Sequence, residues 1–170
     1  MQANYPSAPQ PNSLPKLNTV TLPELYDTVY RPSLTLIEDF LYSGVYLFVG
    51  PPKIGKSFFM AQLAYHVATG TKLWNFDVKQ MEVLYLSLED DMPRLQKRFA
   101  RMFGVDTNAN LHLCTNSSSL SRGLEKQLDV FLQEHPGTKL VIIDTLQKIR
   151  ELSSSSYSYS QDYLIISKLK

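Results

Sequence analysis

The chain has 170 residues, a length that suits one domain rather than two. Hydrophobic residues make up 44%, charged residues 19%, and the formal net charge is +1, which excludes a disordered polyelectrolyte and leaves no global basic field to gather nucleic acid. A lone cysteine, Cys114, excludes an internal disulfide; no apolar run nears the ~20 residues of a membrane span, and no secretion signal opens the chain, so a soluble, cytoplasmic α/β protein with no membrane partner is expected.

Residues 1–20 read as a disordered tail, because Pro6, Pro9, Pro11 and Pro15 are set among Asn, Gln and Ser without an apolar period. Residues 21–170 read as the folded domain. Thr21 followed by Leu22, Pro23 and Glu24 predicts a short helix with Thr21 as N-cap and Glu24 in the capping-box position. Residues 34–42 are apolar around Glu38 and Asp39 and are expected to pack onto the domain. Val45, Tyr46, Leu47, Phe48 and Val49 form a continuous β-prone run, the pattern of a strand buried on both faces. A helix follows over 55–69, apolar on more than one stripe, with Gly70 at its C-terminal cap.

Residues 83–88 predict a second strand. Asp91 caps a helix to about Phe103, with Leu95, Phe99 and Phe103 on one face and Arg94, Lys97, Arg98 and Arg101 on a solvated one. Residues 111–114 predict a third strand, with Cys114 as a small core residue. Leu120, Leu124, Leu128, Phe131 and Leu132 mark another helix, and residues 139–144 a fourth strand. Trp74 and Phe76 are expected to pack beneath the second strand. His66, His112 and His135 show no metal-like spacing along the chain and are expected to be structural or surface residues. Residues 152–161 read as a mobile Ser/Tyr-rich loop, and residues 162–170 as a helix-like start. Strands alternating with helices give an α/β fold with a parallel sheet covered on both faces.

The chemistry is concentrated in three places. Gly50, Pro51, Pro52, Lys53, Ile54, Gly55, Lys56 and Ser57 match G-x-x-x-x-G-K-S/T between a predicted strand and a helix that continues with Phe58. Such a loop turns successive backbone N–H groups inward as an anion nest, at a helix N-terminus that is itself partially positive. Lys56 places a cation near the β- and γ-phosphates of a nucleotide, and the Ser57 hydroxyl offers a hard oxygen to Mg²⁺. Lys53 lies inside the loop but at no defining position. Asp144 ends an apolar strand; parallel strands deliver their C-terminal ends to one edge, which sets it near Ser57 as a second metal-site residue. A turn or capping aspartate is its other reading. Glu89 ends the strand before it and can orient a water towards the γ-phosphate, or be a plain strand-end acid. No N-K-x-D segment for reading guanine is present, which favours ATP.

Residues 50–57, the helix end Ala68-Thr69-Gly70, the run Val83-Leu84-Tyr85-Leu86-Ser87-Leu88-Glu89-Asp90 and the run Val141-Ile142-Ile143-Asp144-Thr145-Leu146 together resemble the RecA-type ATPases. The similarity is to the branch of RepA-like hexameric replicative helicases, and it covers about residues 20–170. It implies a P-loop NTPase fold, ATP and Mg²⁺ as cofactors, Lys56 and Ser57 on phosphate and metal, Glu89 as activator of the attacking water and Asp144 completing the metal site. It also implies a ring-shaped homo-oligomer acting on single-stranded DNA. The family's strand after Asp144, which lies between that strand and the phosphate-loop strand, is not legible here. Nor are its polar sensor and its arginine finger. The chain therefore reads as an incomplete member, either an ATPase motor of helicase type or a nucleotide-binding module without turnover. A small-molecule kinase is the weaker reading, because no lid with clustered arginines follows the strands.

Overall fold

The computed structural model describes residues 17–30, 34–150 and 167. The expectations for residues 1–16, for the loop at 152–161 and, apart from Ser167, for the helix-like start at 162–170 lie outside the described residues. Two units are present, one within Met1–Pro32 and one within Ser33–Lys170.

In the first unit a helix, α1 (Leu22–Asp27), starts where the sequence predicts. The Thr21 backbone N–H donates to the Glu24 carboxylate at 2.7 Å, and the Glu24 N–H donates back to the Thr21 hydroxyl at 3.5 Å. This reciprocal cap holds a helix too short to persist on propensity alone.

The second unit opens with an antiparallel pair, β1 (Thr35–Ile37) and β2 (Leu41–Tyr42). Leu36 and Ile37 enter the core, and the Lys79 N–H donates to the Leu36 carbonyl at 3.0 Å, so the segment before Met81 folds over the hairpin. Next comes α2 (Lys56–Thr69), closed by Gly70 at φ +70°, whose N–H donates to the His66 carbonyl. Ala61, Ala64 and Ala68 lie on its sheet-facing side, where small side chains allow close approach, and all three are fully buried. It is followed by β3 (Glu82–Ser87), α3 (Met92–Phe103), β4 (Leu111–Cys114), a 3₁₀ turn (Leu120–Arg122), α4 (Leu124–Glu134), β5 (Thr138–Asp144) and a short α5 (Leu146–Ile149).

The sheet is parallel, in the order β4-β3-β5. Its register places Val83 beside Leu111 and Leu140, and Ser87 beside Asp144. The two-residue period of the strands then sorts the core into two layers. Val83, Tyr85 and Ile142 face α2 and α3, meeting Leu63, Val67 and Leu95. Leu84, Leu86, Val141 and Ile143 face α4 and α5, meeting Leu124, Phe131 and Ile149. Leu95, 1% exposed, anchors α3; burying such a side chain stabilises by about 2 kcal/mol relative to leaving it in water. Helices thus cover both faces of the parallel sheet, an α/β arrangement of P-loop NTPase type.

Two expectations change. Residues 45–49 are extended but pair with no strand among the described residues, and Val45 to Val49 are 45–73% exposed. An apolar run is buried as a strand only when neighbours occupy both its edges and both its faces. Here Phe48 instead leans on Phe59 of α2, at 5.3 Å between ring centroids. Trp74 is 56% exposed and stacks on Phe59 at 5.7 Å, outside the sheet rather than beneath β3, while Phe76 does pack against the core.

Candidate nucleotide site

The loop at 50–57 projects from the start of α2, with residues 50–55 exposed. Gly55 caps the helix at φ +95°, a left-handed conformation that an L side chain adopts only with strain. A Cβ at this position would meet no atom within 4 Å, so the backbone angle, not crowding by the protein, is what requires glycine. Lys53 also has positive φ, +65°. No side chain caps the helix, which leaves its first N–H groups directed at the loop interior. The Lys56 ammonium folds back across the loop and donates to the carbonyls of Gly50 at 2.8 Å and Pro51 at 2.7 Å. Both acceptors are neutral, and the oxygens of a triphosphate are stronger acceptors for the same group.

Tyr85 ties the loop to the sheet. Its side chain, on β3, is fully buried on the face that α2 covers, and its hydroxyl donates to Asp144 Oδ2 at 2.9 Å while lying 3.4 Å from the Ser57 carbonyl. Burial pushes the Tyr85 phenol far above its usual range, and the Asp144 carboxylate pushes it further. It therefore stays a donor at every working pH. The link brings the ends of two sequence motifs, Ser57 and Asp144, to one place through a residue that belongs to neither motif. A tyrosine amid an otherwise apolar buried strand is the signal for it, because a buried phenol needs a partner. The peptide that follows Asp144 is cis.

Tyr85→Phe keeps the packing and removes the donor to a charged acceptor. Its expected cost is about 1–2 kcal/mol of unfolding free energy, read by urea titration.

Donor chemistry suits Mg²⁺ at this place. The Ser57 hydroxyl and the second Asp144 oxygen are hard oxygens on a partly hydrated surface, the ligand type that Mg²⁺ takes while keeping its waters.

Glu89 lies in the turn that follows β3, exposed, and its carboxylate has no hydrogen bond or ion pair among the described residues. Its neighbours are held firmly. Asp90 accepts from the Ser87 hydroxyl at 2.8 Å and takes a two-pronged contact from the Arg98 guanidinium at 2.5 and 3.1 Å. The Asp90 side chain is 7% exposed and that of Arg98 13%. Arg98 thus leaves the solvated face expected for it; its guanidinium also lies 5.2 Å from the ring centroid of Phe58, the residue that follows the loop. Asp91 caps α3, accepting from the Arg94 N–H at 2.7 Å, as its position in the sequence predicts.

A groove of about 780 Å³ runs between α2 and α3, but neither the loop residues nor Glu89 nor Asp144 lines it, and it is distinct from the nucleotide site. Among the described residues no helix is long and apolar enough to cross a membrane. A family model described as an AAA domain matches residues 11–165. No curated protein and no solved structure gives a match.

Proposed function

This chain belongs to the AAA domain family of P-loop ATPases, and from that premise we propose that it binds ATP with Mg²⁺ on residues 50–57 and hydrolyses it as a motor of replicative-helicase type. The Tyr85 bridge carries the reading, because it sets Asp144 beside the helix that bears Lys56 and Ser57. In this assignment the backbone N–H groups of residues 50–57 bind the phosphates, with Phe58 flanking them. Lys56 transfers its contacts from the Gly50 and Pro51 carbonyls to the β- and γ-phosphate oxygens. Ser57 would hold Mg²⁺ directly and Asp144 through a water. When bound, the ion neutralises charge that builds on the bridging oxygen of the leaving diphosphate.

Glu89 accepts a proton from a water placed in line with the γ-phosphorus. The water oxygen bonds to phosphorus, the bond to the β,γ-bridging oxygen breaks, and ADP and phosphate leave. Glu89→Gln is expected to leave ATP affinity within about twofold and to lower turnover by about 10²–10⁴-fold, since the amide cannot take the proton. Binding by calorimetry and phosphate release in steady state separate the two effects.

Single-stranded DNA as partner, and a hexameric ring, rest on the likeness of residues 86–90 and 141–146 to the helicase branch. Stimulation of phosphate release by a single-stranded oligonucleotide tests that assignment, and no stimulation removes it. Binding without turnover is the second reading. It is favoured by the exposure of the Glu89 side chain, which no hydrogen bond or ion pair among the described residues holds, although the turn that carries it is fixed through Asp90. Wild-type turnover equal to that of Glu89→Gln, with an ATP-dependent rise in melting temperature in both, would establish it.

A further inference from the structure

We propose that Glu82, His112 and His135 form a binding site for a zinc-class divalent ion, at the sheet edge opposite the phosphate loop. Glu82 is the first residue of β3, His112 the second of β4, and His135 the C-cap of α4. One ligand atom from each lies within 4.8 Å of those of the other two. The strand period sends Glu82 and His112 to the same face as Leu84 and Leu86, the face that α4 covers. There His112 meets the His135 ring at 4.3 Å between centroids, with Phe131 packed against both.

The second observation is a concentration of buried polar atoms without partners. Glu82 Oε2, His112 Nε2 and the hydroxyl of Thr138, the ladder partner of Glu82, are all shielded from water and make no hydrogen bond. Such atoms are uncommon in native proteins, and three in one corner imply a ligand that satisfies them. Gly137 makes room for the Glu82 carboxylate in this corner: a Cβ there would stand 2.9 Å from Glu82 Oε2 and 3.0 Å from its Cδ.

The chemistry selects the ion. Two imidazole nitrogens and one carboxylate suit Zn²⁺ and its neighbours, whereas Mg²⁺ and Ca²⁺ prefer oxygen alone. Tetrahedral zinc at ~2.0–2.1 Å from each ligand sets ligand atoms ~3.4 Å apart, which small side-chain rotations reach from the present spacing. Three protein ligands leave the fourth position to water, for which the Thr138 hydroxyl is a suitable partner. The site lies roughly 20 Å along β5 from Asp144, counted at the rise of a strand. It ties β3, β4 and the α4–β5 connection together away from the nucleotide.

The test uses the full chain without ATP or Mg²⁺. Purified protein is incubated with zinc chloride, dialysed and assayed for metal, and in parallel titrated with Co²⁺ while visible absorption is recorded. Stoichiometric zinc and cobalt ligand-field bands are expected in the wild type. Affinity should fall by about tenfold or more in both His135→Ala and Glu82→Gln. Zinc retention in the wild type equal to that of Glu82→Gln overturns the proposal and leaves a water-bridged polar cluster. So does the absence of cobalt bands. Should His135→Ala not fold, Glu82→Gln and the wild-type cobalt spectrum decide the matter.

Discussion

Lys56→Ala is expected to lower ATP turnover by about a hundredfold or more, the usual consequence of removing a charge aimed at the group being transferred. The rise in melting temperature that ATP with Mg²⁺ gives the wild type should largely disappear as well. Among the described residues the Lys56 ammonium donates to the Gly50 and Pro51 carbonyls, both on an exposed loop. Its loss costs little folding free energy, so the variant should unfold at nearly the wild-type urea midpoint. A variant that folds normally yet keeps wild-type turnover would remove residues 50–57 from the reaction. Full turnover from an unrelated contaminating ATPase is recognised by its persistence in Glu89→Gln.

Arg98→Met is expected to be the most damaging single change to stability, at about 3–5 kcal/mol. The methionine fills much of the same volume, but it leaves Asp90 nearly buried with the Ser87 hydroxyl as its hydrogen-bond donor and the exposed Arg94 guanidinium 3.9 Å away as its remaining cation. A nearly buried carboxylate that loses its close cation bears most of the cost of desolvation, and a solvent-exposed guanidinium at 3.9 Å compensates only weakly. The double variant Asp90→Asn with Arg98→Met removes the stranded charge and should recover part of the loss. Equilibrium urea unfolding of wild type, Arg98→Met, Asp90→Asn and the double variant gives the coupling directly. Equal stability of Arg98→Met and wild type would mean that the pair is solvent-screened. The pair also fixes the turn that presents Glu89, so Arg98→Met should lower turnover even where the fraction folded is held equal.

The phosphate loop was legible because its geometry is local. Eight consecutive residues set their own backbone path, and Gly55 at the start of α2 takes the left-handed angle that the pattern demands. Caps are local for the same reason: Thr21 with Glu24, Asp91 with Arg94, and Gly70 with His66 each close within four residues. The strands at 82–87, 111–114 and 138–144 fall within a residue of the expected runs, since apolar residues in such density have nowhere to go but between helices. Residues 45–49 carry the same signal with a different outcome. Their composition favours a buried strand, but burial depends on neighbours that composition does not supply, and they lie exposed. Arg98 fails in the opposite direction. Helical periodicity puts it among solvated charges, yet the turn before the helix brings Asp90 within its reach.

The amino-acid sequence by itself determined the class of this protein: a P-loop α/β domain with a G-x-x-x-x-G-K-S loop at the head of α2 and carboxylates where strands end. Tertiary structure alone decided which of those groups meet. Tyr85 and Asp144 stand 59 positions apart and join through one hydrogen bond, because β3 and β5 lie side by side in the sheet. Glu82, His112 and His135 converge for the same reason, although their spacing along the chain matches no metal motif. Helix caps and loops obey rules of near neighbours, which a linear reading captures. Contacts across a sheet depend on strand order and register, and these emerge only when the two apolar faces of the whole sheet are covered at once.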